Sequence, residues 1–215
     1  MLNAPPCSSA AEVKREFPGA LHIEAAADIR RSWCSGYLTA MWGDHEGHAC
    51  YCVGDPHIDK GKYRHRNFTQ RFVSWPAARE WLPGRLIDLA GGGWDVWVAP
   101  MLRAEKKRTK GTGAGGQWVW ADLDGDMTIE RRAAIAALGD RARLISSGTA
   151  HHLYARLDGW QPLEVVVEAN RKLAAMLDAD SKWSDDSLLR PPGTFNMKPV
   201  VFHGKAAAIV QAVTL

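Results

Sequence analysis

The stretch WVWADLDGD, residues 118–126, sets the tightest constraint on this chain. Trp118, Val119, Trp120 and Leu123 form an apolar run with the aromatic and β-branched composition of a strand. Side chains on a strand alternate between faces, so Asp122 and Asp124 point the same way. Two carboxylates side by side repel, and holding both ionised on a mostly apolar strand is costly unless a cation lies between them. A divalent metal is the natural partner. The competing reading is a turn, because Asp124-Gly125-Asp126 has good turn chemistry and most such triplets end in solvated loops. Structural context has to decide between them.

The segments that follow supply context. A helix is expected from about Thr128, with apolar Ile129, Ala133, Ile135, Ala136 and Leu138, closing at Gly139. RLISS, 143–147, reads as a strand, GTA as a turn and HHLYARL, 151–157, as the returning strand. LEVVVEANRKLAAMLDA places Leu163, Val166, Val167, Leu173, Ala174 and Leu177 at helical spacing. SLLR and KPVVFHG read as closing strands, and KAAAIVQAVTL as a final one. The order β-α-β-β-α-β is that of a ferredoxin- or RRM-like split unit, an α/β (α+β) fold whose sheet has one face under helices and one face open. The carboxylates are expected on the open face.

Before that unit, ALHIEAA, GYLTAMWG and ACYCVG read as short strands. SWPAAREWL, with Ser74 as N-cap, and GRLIDLAGGG, stopped by Gly91, read as short helices. DVWVAPML, 95–102, reads as another strand. We therefore expect a single domain over 1–215, with an N-terminal α/β module at 1–112 packed against the RRM-like module at 113–215. No apolar stretch approaches the roughly 20 residues of a membrane helix, and the first residues lack a signal-peptide core, so a soluble, cytoplasmic protein is expected. Four cysteines are too sparse for a disulfide scaffold, which makes reduced thiols the default.

The net charge of +3 is modest but unevenly distributed. Arg103, Lys106, Lys107, Arg108 and Lys110 run into GTGAGG just before the carboxylate strand, and such a loop suits a polyanion. A solvated linker is the alternative. In SSGTAHHLY, His152 and Tyr154 share one face of the strand and His151 the other, so one histidine at most points with the carboxylates. Ser147, Gly148 and Thr149 form a tight turn that could hold a phosphate, and an imidazole can donate a hydrogen bond to a phosphate oxygen. DADSKWSDDSLLRPPGTFNMK, 178–198, adds Asp178, Asp180, Asp185 and Asp186, then Arg190, a stiff Pro-Pro-Gly-Thr turn, Asn196 and Lys198. Arg190 suits phosphate by its planar fork and Lys198 as a point charge. Read plainly, the same segment is a helix end, an acidic loop and a proline turn.

HEGHACYCVGDPHIDKGKYRH gathers His45, His48, Cys50, Cys52, His57 and His65 densely enough to raise a zinc site. Zinc knuckles space their cysteines by two to four residues, however, whereas Cys-x-Cys on a strand puts both thiols on one face, as a plain buried strand would.

Taken together, the strand WVWADLD, the hairpin SGTAHHLY and the acidic segment ending in LLRPPGTFNMK resemble the motifs of the archaeo-eukaryotic primase superfamily, in particular the primase-polymerases of phages, plasmids and mobile elements. The resemblance covers 118–198, with DVWVAPMLR before the basic loop also similar. It implies that Asp122 and Asp124 are metal-binding carboxylates and that His152 contacts the phosphates of the incoming nucleotide. Asp180 stands where the family's third carboxylate precedes the R-x-P-G-T strand, with Asp185 and Asp186 as alternatives. Ala150 replaces the small polar residue many relatives keep two before the histidine, leaving Ser147 as the nearest hydroxyl. The implied activity is template-directed primer synthesis and extension from (d)NTPs on single-stranded DNA, with two Mg²⁺ or Mn²⁺ ions held by Asp122, Asp124 and Asp180. Ser147, His152, Arg190 and Lys198 would take the nucleotide, and Arg103, Lys106, Lys107, Arg108 and Lys110 the DNA. A helicase domain or partner, and a bacterial host with phage or plasmid origin, go with it. Zinc also accompanies some primases of this superfamily.

Two other function classes compete. A non-catalytic module binding single-stranded nucleic acid would present aromatic stacking residues on the open sheet, where this chain presents carboxylates. A rolling-circle nicking endonuclease would need two histidines alternating on one strand, and His151 and His152 are adjacent. The glycines of GTGAGG precede a strand and lack Gly-Lys-Ser/Thr, which excludes a P-loop.

Overall fold

A strand pattern punctuated by helices of spacing three and four gives, in the computed structural model, antiparallel sheets of three, four and two strands among the described residues, and a shared core. The structure describes residues 27–148 and 150–213. The ALHIEAA segment and Thr149 lie outside them. The first part comprises α1 (Ala27–Trp42), β1 (Gly47–Asp59), β2 (Lys62–Trp75), α2 (Leu82–Gly91) and β3 (Asp95–Val98). The second comprises β4 (Gly116–Asp124), α3 (Ile129–Ala137), β5 (Ala142–Ser146), β6 (Ala150–Gln161), α4 (Leu163–Met176), β7 (Phe195–Asn196), α5 (Lys198–His203), β8 (Ala208–Ile209) and β9 (Gln211–Val213). Among the described residues, no helix is long and apolar enough to cross a membrane.

The β-α-β-β-α core expected from the sequence is present as β4-α3-β5-β6-α4. Thr128 caps α3 by accepting from the Arg131 N–H at 3.2 Å. The sheet is antiparallel, in the order β4-β6-β5-β9. The closing strand β9 therefore lies beside β5, and β4, the carboxylate strand, forms the opposite edge. Asn170 of α4 and the segment after α4 take the place of a neighbouring strand there. Asn170 Oδ1 accepts from Trp120 N–H at 2.7 Å, and the Asp122 carbonyl accepts from Asp180 N–H at 3.0 Å.

Four expectations are corrected. GYLTAMWG belongs to α1, whose buried Cys34, Tyr37, Leu38, Met41 and Trp42 follow a helical repeat. Ser74 lies in β2, which runs on to Trp75, so SWPAAREWL is strand end and turn, with the helix beginning only at Leu82. KPVVFHG is α5: Pro199 in its first turn cannot donate to a sheet ladder, and Gly204 at φ 59° ends the helix in the left-handed conformation. SLLR forms only an isolated bridge, Leu189 to Val98.

The carboxylate face is partly covered, by α1. Tyr37 of α1 packs edge-on against Tyr154 of β6 with ring centroids 5.5 Å apart, and the two hydroxyls are hydrogen-bonded at 3.0 Å. One hydrophobic core runs through the two larger sheets, from Trp42, Leu86 and Val98 to Trp120, Leu153 and Leu173. Both ends of the face reach solvent, Asp124 at one and Arg143 and Arg156 at the other, with Asp122, His152 and Tyr154 buried between them.

Candidate active site

Asp122 lies directly opposite His152 in the β4–β6 ladder, and Asp124 opposite Ala150. The Trp120 N–H and Asp122 carbonyl both point away from β6, which makes Asp122 and His152 a non-hydrogen-bonded pair, the kind in which side chains come closest. Both are buried, at 3% and 4% exposure. His152 Nε2 sits 3.7 Å from Asp122 Oδ1. Burial, then Arg190, Lys182 and His151, push His152 down to about 3, so its ring is neutral and the contact is not an ion pair. Asp122 Oδ1 and His152 Nδ1 are buried without hydrogen-bond partners. Unpaired polar atoms on facing buried side chains leave hydrogen-bonding capacity free for a further partner.

Asp180 is brought to the pair by its N–H bond to the Asp122 carbonyl. Between the two carboxylates lies Lys182, whose ammonium touches Asp122 Oδ2 and is 3.4 Å from Asp180 Oδ2. Burial works against the Lys182 charge, but Asp122, Asp180 and Asp124 outweigh it and hold the ammonium above the ordinary lysine range. Asp124 is exposed. Among the described residues, no three acidic, histidine or cysteine side chains form a ready cage for a metal. The donor set is nonetheless of the right kind: hard carboxylate oxygens that already share one cation, and one buried oxygen with no partner.

Beside this centre stands a second cluster that sequence reasoning did not find. Asp95, at the head of β3 and 0% exposed, accepts from Arg190 Nη2 at 3.1 Å, Met197 N–H at 3.2 Å and Tyr63 Oη at 2.5 Å, and pairs with His65 Nε2 at 2.8 Å. Burial opposes ionisation of Asp95, but these partners, His65 foremost, hold its carboxyl below the ordinary range. Two residues on, Trp97 puts its ring 5.1 Å beneath the Arg190 guanidinium. Gly54 lets His65 come this close, since a Cβ there would meet His65 Cβ at 2.8 Å. A lone aspartate opening the apolar DVWV was the signal for Asp95, and a lysine two after Asp180 the signal for Lys182.

The remaining expected residues divide between the site and the scaffold. Ser147 is buried with its hydroxyl donating to the Ala150 carbonyl at 3.1 Å, and Asn196 Nδ2 donates to the Ser147 carbonyl at 2.8 Å, so this turn is locked to the strand after the proline turn. Gly148, at φ 92°, has no room for a side chain, because a Cβ would lie 2.2 Å from Ala208. Lys198 opens α5 and is exposed.

Arg103 is fully buried and bonded to Asp185 Oδ2 at 3.0 Å and to the Asp185 carbonyl at 2.6 Å. It builds the basic loop from inside and does not face a polyanion. Asp185 also accepts from Gly111 and Gly113 N–H, which commits it to the same scaffold. Arg108 is held by Gln70 and the Asp186 carbonyl, while Lys106, Lys107 and Lys110 are exposed. The residues considered for zinc go to separate tasks: His45 stacks on Trp160, His65 serves Asp95, and Cys50 and Cys52 are buried with Ala99 against Phe72 and Trp97. His151 lies on the other face from His152, near Arg132 of α3, which removes the paired histidines a nicking site needs.

No protein-family model and no curated protein matches the chain. Solved structures do. The cyanophage S-2L primase-polymerase AEP domain superposes with a TM-score of 0.60 at 12% identity, over 86% of this chain and 89% of that one. The catalytic domain of primase RepB′ in complex with initiator DNA gives 0.55 at 15% identity, over 86% and 85%. The longer RepB′ primase gives 0.56 at 15% identity over 86% of this chain, which spans only 56% of its length. The chain has the fold of the archaeo-eukaryotic primase-type catalytic domain.

Proposed function

We propose that this chain is a primase-polymerase catalytic domain that joins nucleotides on a single-stranded DNA template. The observation that carries the reading is the convergence of Asp122, His152 and Asp180: one acid faces the histidine across the strand pair, and the other is tied to it through the main chain. The fold is the one the RepB′ and cyanophage domains share. Asp122, Asp124 and Asp180 would hold Mg²⁺ or Mn²⁺. Such ions, when bound, lower the pKa of an attacking 3′-hydroxyl and neutralise the leaving pyrophosphate.

The chain's own residues do the rest. Neutral His152 donates a hydrogen bond to a phosphate oxygen of the incoming (d)NTP and adds no charge that would compete with the metals. Arg190, aimed by Asp95 and supported by Trp97, takes a phosphate through its free guanidinium edge, and Lys198 adds a point charge. Ser147 and Asn196 keep the hairpin turn in place beside them. Lys106, Lys107 and Lys110 meet the template backbone. The test is incubation of the purified protein with single-stranded DNA, labelled nucleotides and Mg²⁺ or Mn²⁺ but no primer. Labelled oligomers of defined length, lost in Asp122→Asn, are the expected result; binding of DNA without any incorporation would leave a non-catalytic module as the better reading.

A further inference from the structure

Asp122 and Asp180, brought together at the edge of β4, call for a cation, and the fold carries its own. The main chain around Lys182 is held from both sides. Trp120 Nε1 donates to the Lys182 carbonyl at 2.9 Å, Asn170 Nδ2 donates to the Trp183 carbonyl at 3.1 Å, and Asp180 N–H bonds to the Asp122 carbonyl at 3.0 Å. The peptide at 182 is therefore fixed, and only the four-carbon side chain is left free to swing. That side chain is 44% exposed, whereas Asp122, its main partner, is 5% exposed, so a path to solvent is open to the ammonium and closed to the carboxylate.

We propose that Lys182 is a resident counter-cation that occupies the carboxylate pair in the metal-free protein and competes with the divalent ion for Asp122 and Asp180. The proposal rests on the reading of these carboxylates as metal ligands. Without a positive charge, a buried Asp122 beside Asp180 would be repelled from its own site. With a divalent ion on the same oxygens, an ammonium at contact distance is repelled in turn, and the flexible stem lets it leave. A bidentate arginine fork would be harder to displace. Lys182 thus keeps the acids folded in their working places until the ion arrives, and weakens the ion's hold by the strength of the ion pair it must break. Because the lysine is half-exposed, that pair is of modest strength.

Titration of nucleotide-free protein with Mn²⁺, followed by electron paramagnetic resonance of the free ion, reads this directly. Lys182→Gln is expected to bind Mn²⁺ about three- to tenfold more tightly than wild type and to melt at lower temperature in chelator, whereas Lys182→Arg, which keeps the charge, should not tighten binding. Asp122→Asn should bind weakly or not at all. An unchanged or weaker Mn²⁺ affinity in Lys182→Gln, or equal tightening in Lys182→Arg, would overturn the competitor role while leaving an Asp122-dependent metal site intact. Mn²⁺ binding by wild type that is absent or insensitive to Asp122→Asn would instead overturn the carboxylate reading itself, and this proposal with it.

Discussion

The N–H of Asp180 donates to the carbonyl of Asp122 at 3.0 Å, so the acid proposed as the third carboxylate is placed by main chain and not by side-chain chance. The bond lies at the free edge of β4, on the side where a neighbouring strand would pair.

Asp122→Asn is expected to lower nucleotide incorporation by more than about a hundredfold with the fold retained, because it removes charge from a crowded acidic site more than it removes packing. Single-turnover kinetics beside a thermal melt separate the two effects. Full activity would end the metal reading, and unfolding would make Asp122 structural.

His152→Ala and Arg190→Ala should mainly raise the nucleotide KM, lowering kcat/KM by about ten- to a hundredfold each, since bonds to phosphate exist already in the bound ground state. Template affinity should stay near wild type. His151→Ala serves as the control: His151 lies on the α3 face, and its loss should be nearly silent in the same assay.

Asp95 offers a pH test. Its carboxyl is held below the ordinary range by His65, Arg190, Tyr63 and the Met197 N–H. A carboxyl depressed in the folded state adds stability that is present above its unfolded value, near pH 4, and is lost as pH falls through the folded value. Urea melts from about pH 6 down to about pH 2 should therefore show a loss of stability that is shallower in Asp95→Asn. At neutral pH that variant should be about 2–4 kcal/mol less stable, because the partly buried Arg190 loses its anionic partner and the buried cluster around position 95 loses its charge-assisted bonds. Equal acid sensitivity in both proteins would place the titration elsewhere.

The basic loop separates into two kinds of cation. Neutralising Lys106, Lys107 and Lys110 should reduce the slope of log affinity for single-stranded DNA against log salt by about 0.7 for each phosphate that is no longer neutralised. Arg103→Ala should instead cost about 3–5 kcal/mol of stability, since it leaves the buried Asp185 carboxylate unpaired. An unchanged salt slope in the triple variant would route the template over another surface.

What can be read in the sequence is local. Period-two alternation puts Asp122 and Asp124 on one face and separates His151 from His152; the Thr128 cap and apolar spacing mark α3 and α4. Expectation and structure part where β-forming residues meet stronger rules. Val200, Val201 and Phe202 favour a strand, but Pro199 and Gly204 bracket them as one short helix. In α1 the helical repeat of Cys34, Tyr37, Leu38, Met41 and Trp42 is legible and outweighs the β propensity of the aromatics within it. Asp95 with Arg190, and Arg103 with Asp185, are beyond reach, because partners 95 and 82 residues apart are joined only by the fold. The same holds for β9, whose place beside β5 and not β4 depends on where α5 and the proline turn deliver the chain.

That placement has a consequence for how the molecule behaves in solution. A strand edge carrying Trp118, Val119 and Trp120 is an invitation to pair with another molecule. Here the invitation is declined by Asn170 and by the peptide of Asp180, the same groups that hold the acidic loop over the site. Solubility and the shape of the carboxylate centre thus share one fastening. Asn170→Ala, which touches none of the acids, should both loosen the loop and raise light scattering on gentle heating, with self-association as the first visible symptom of damage at the site.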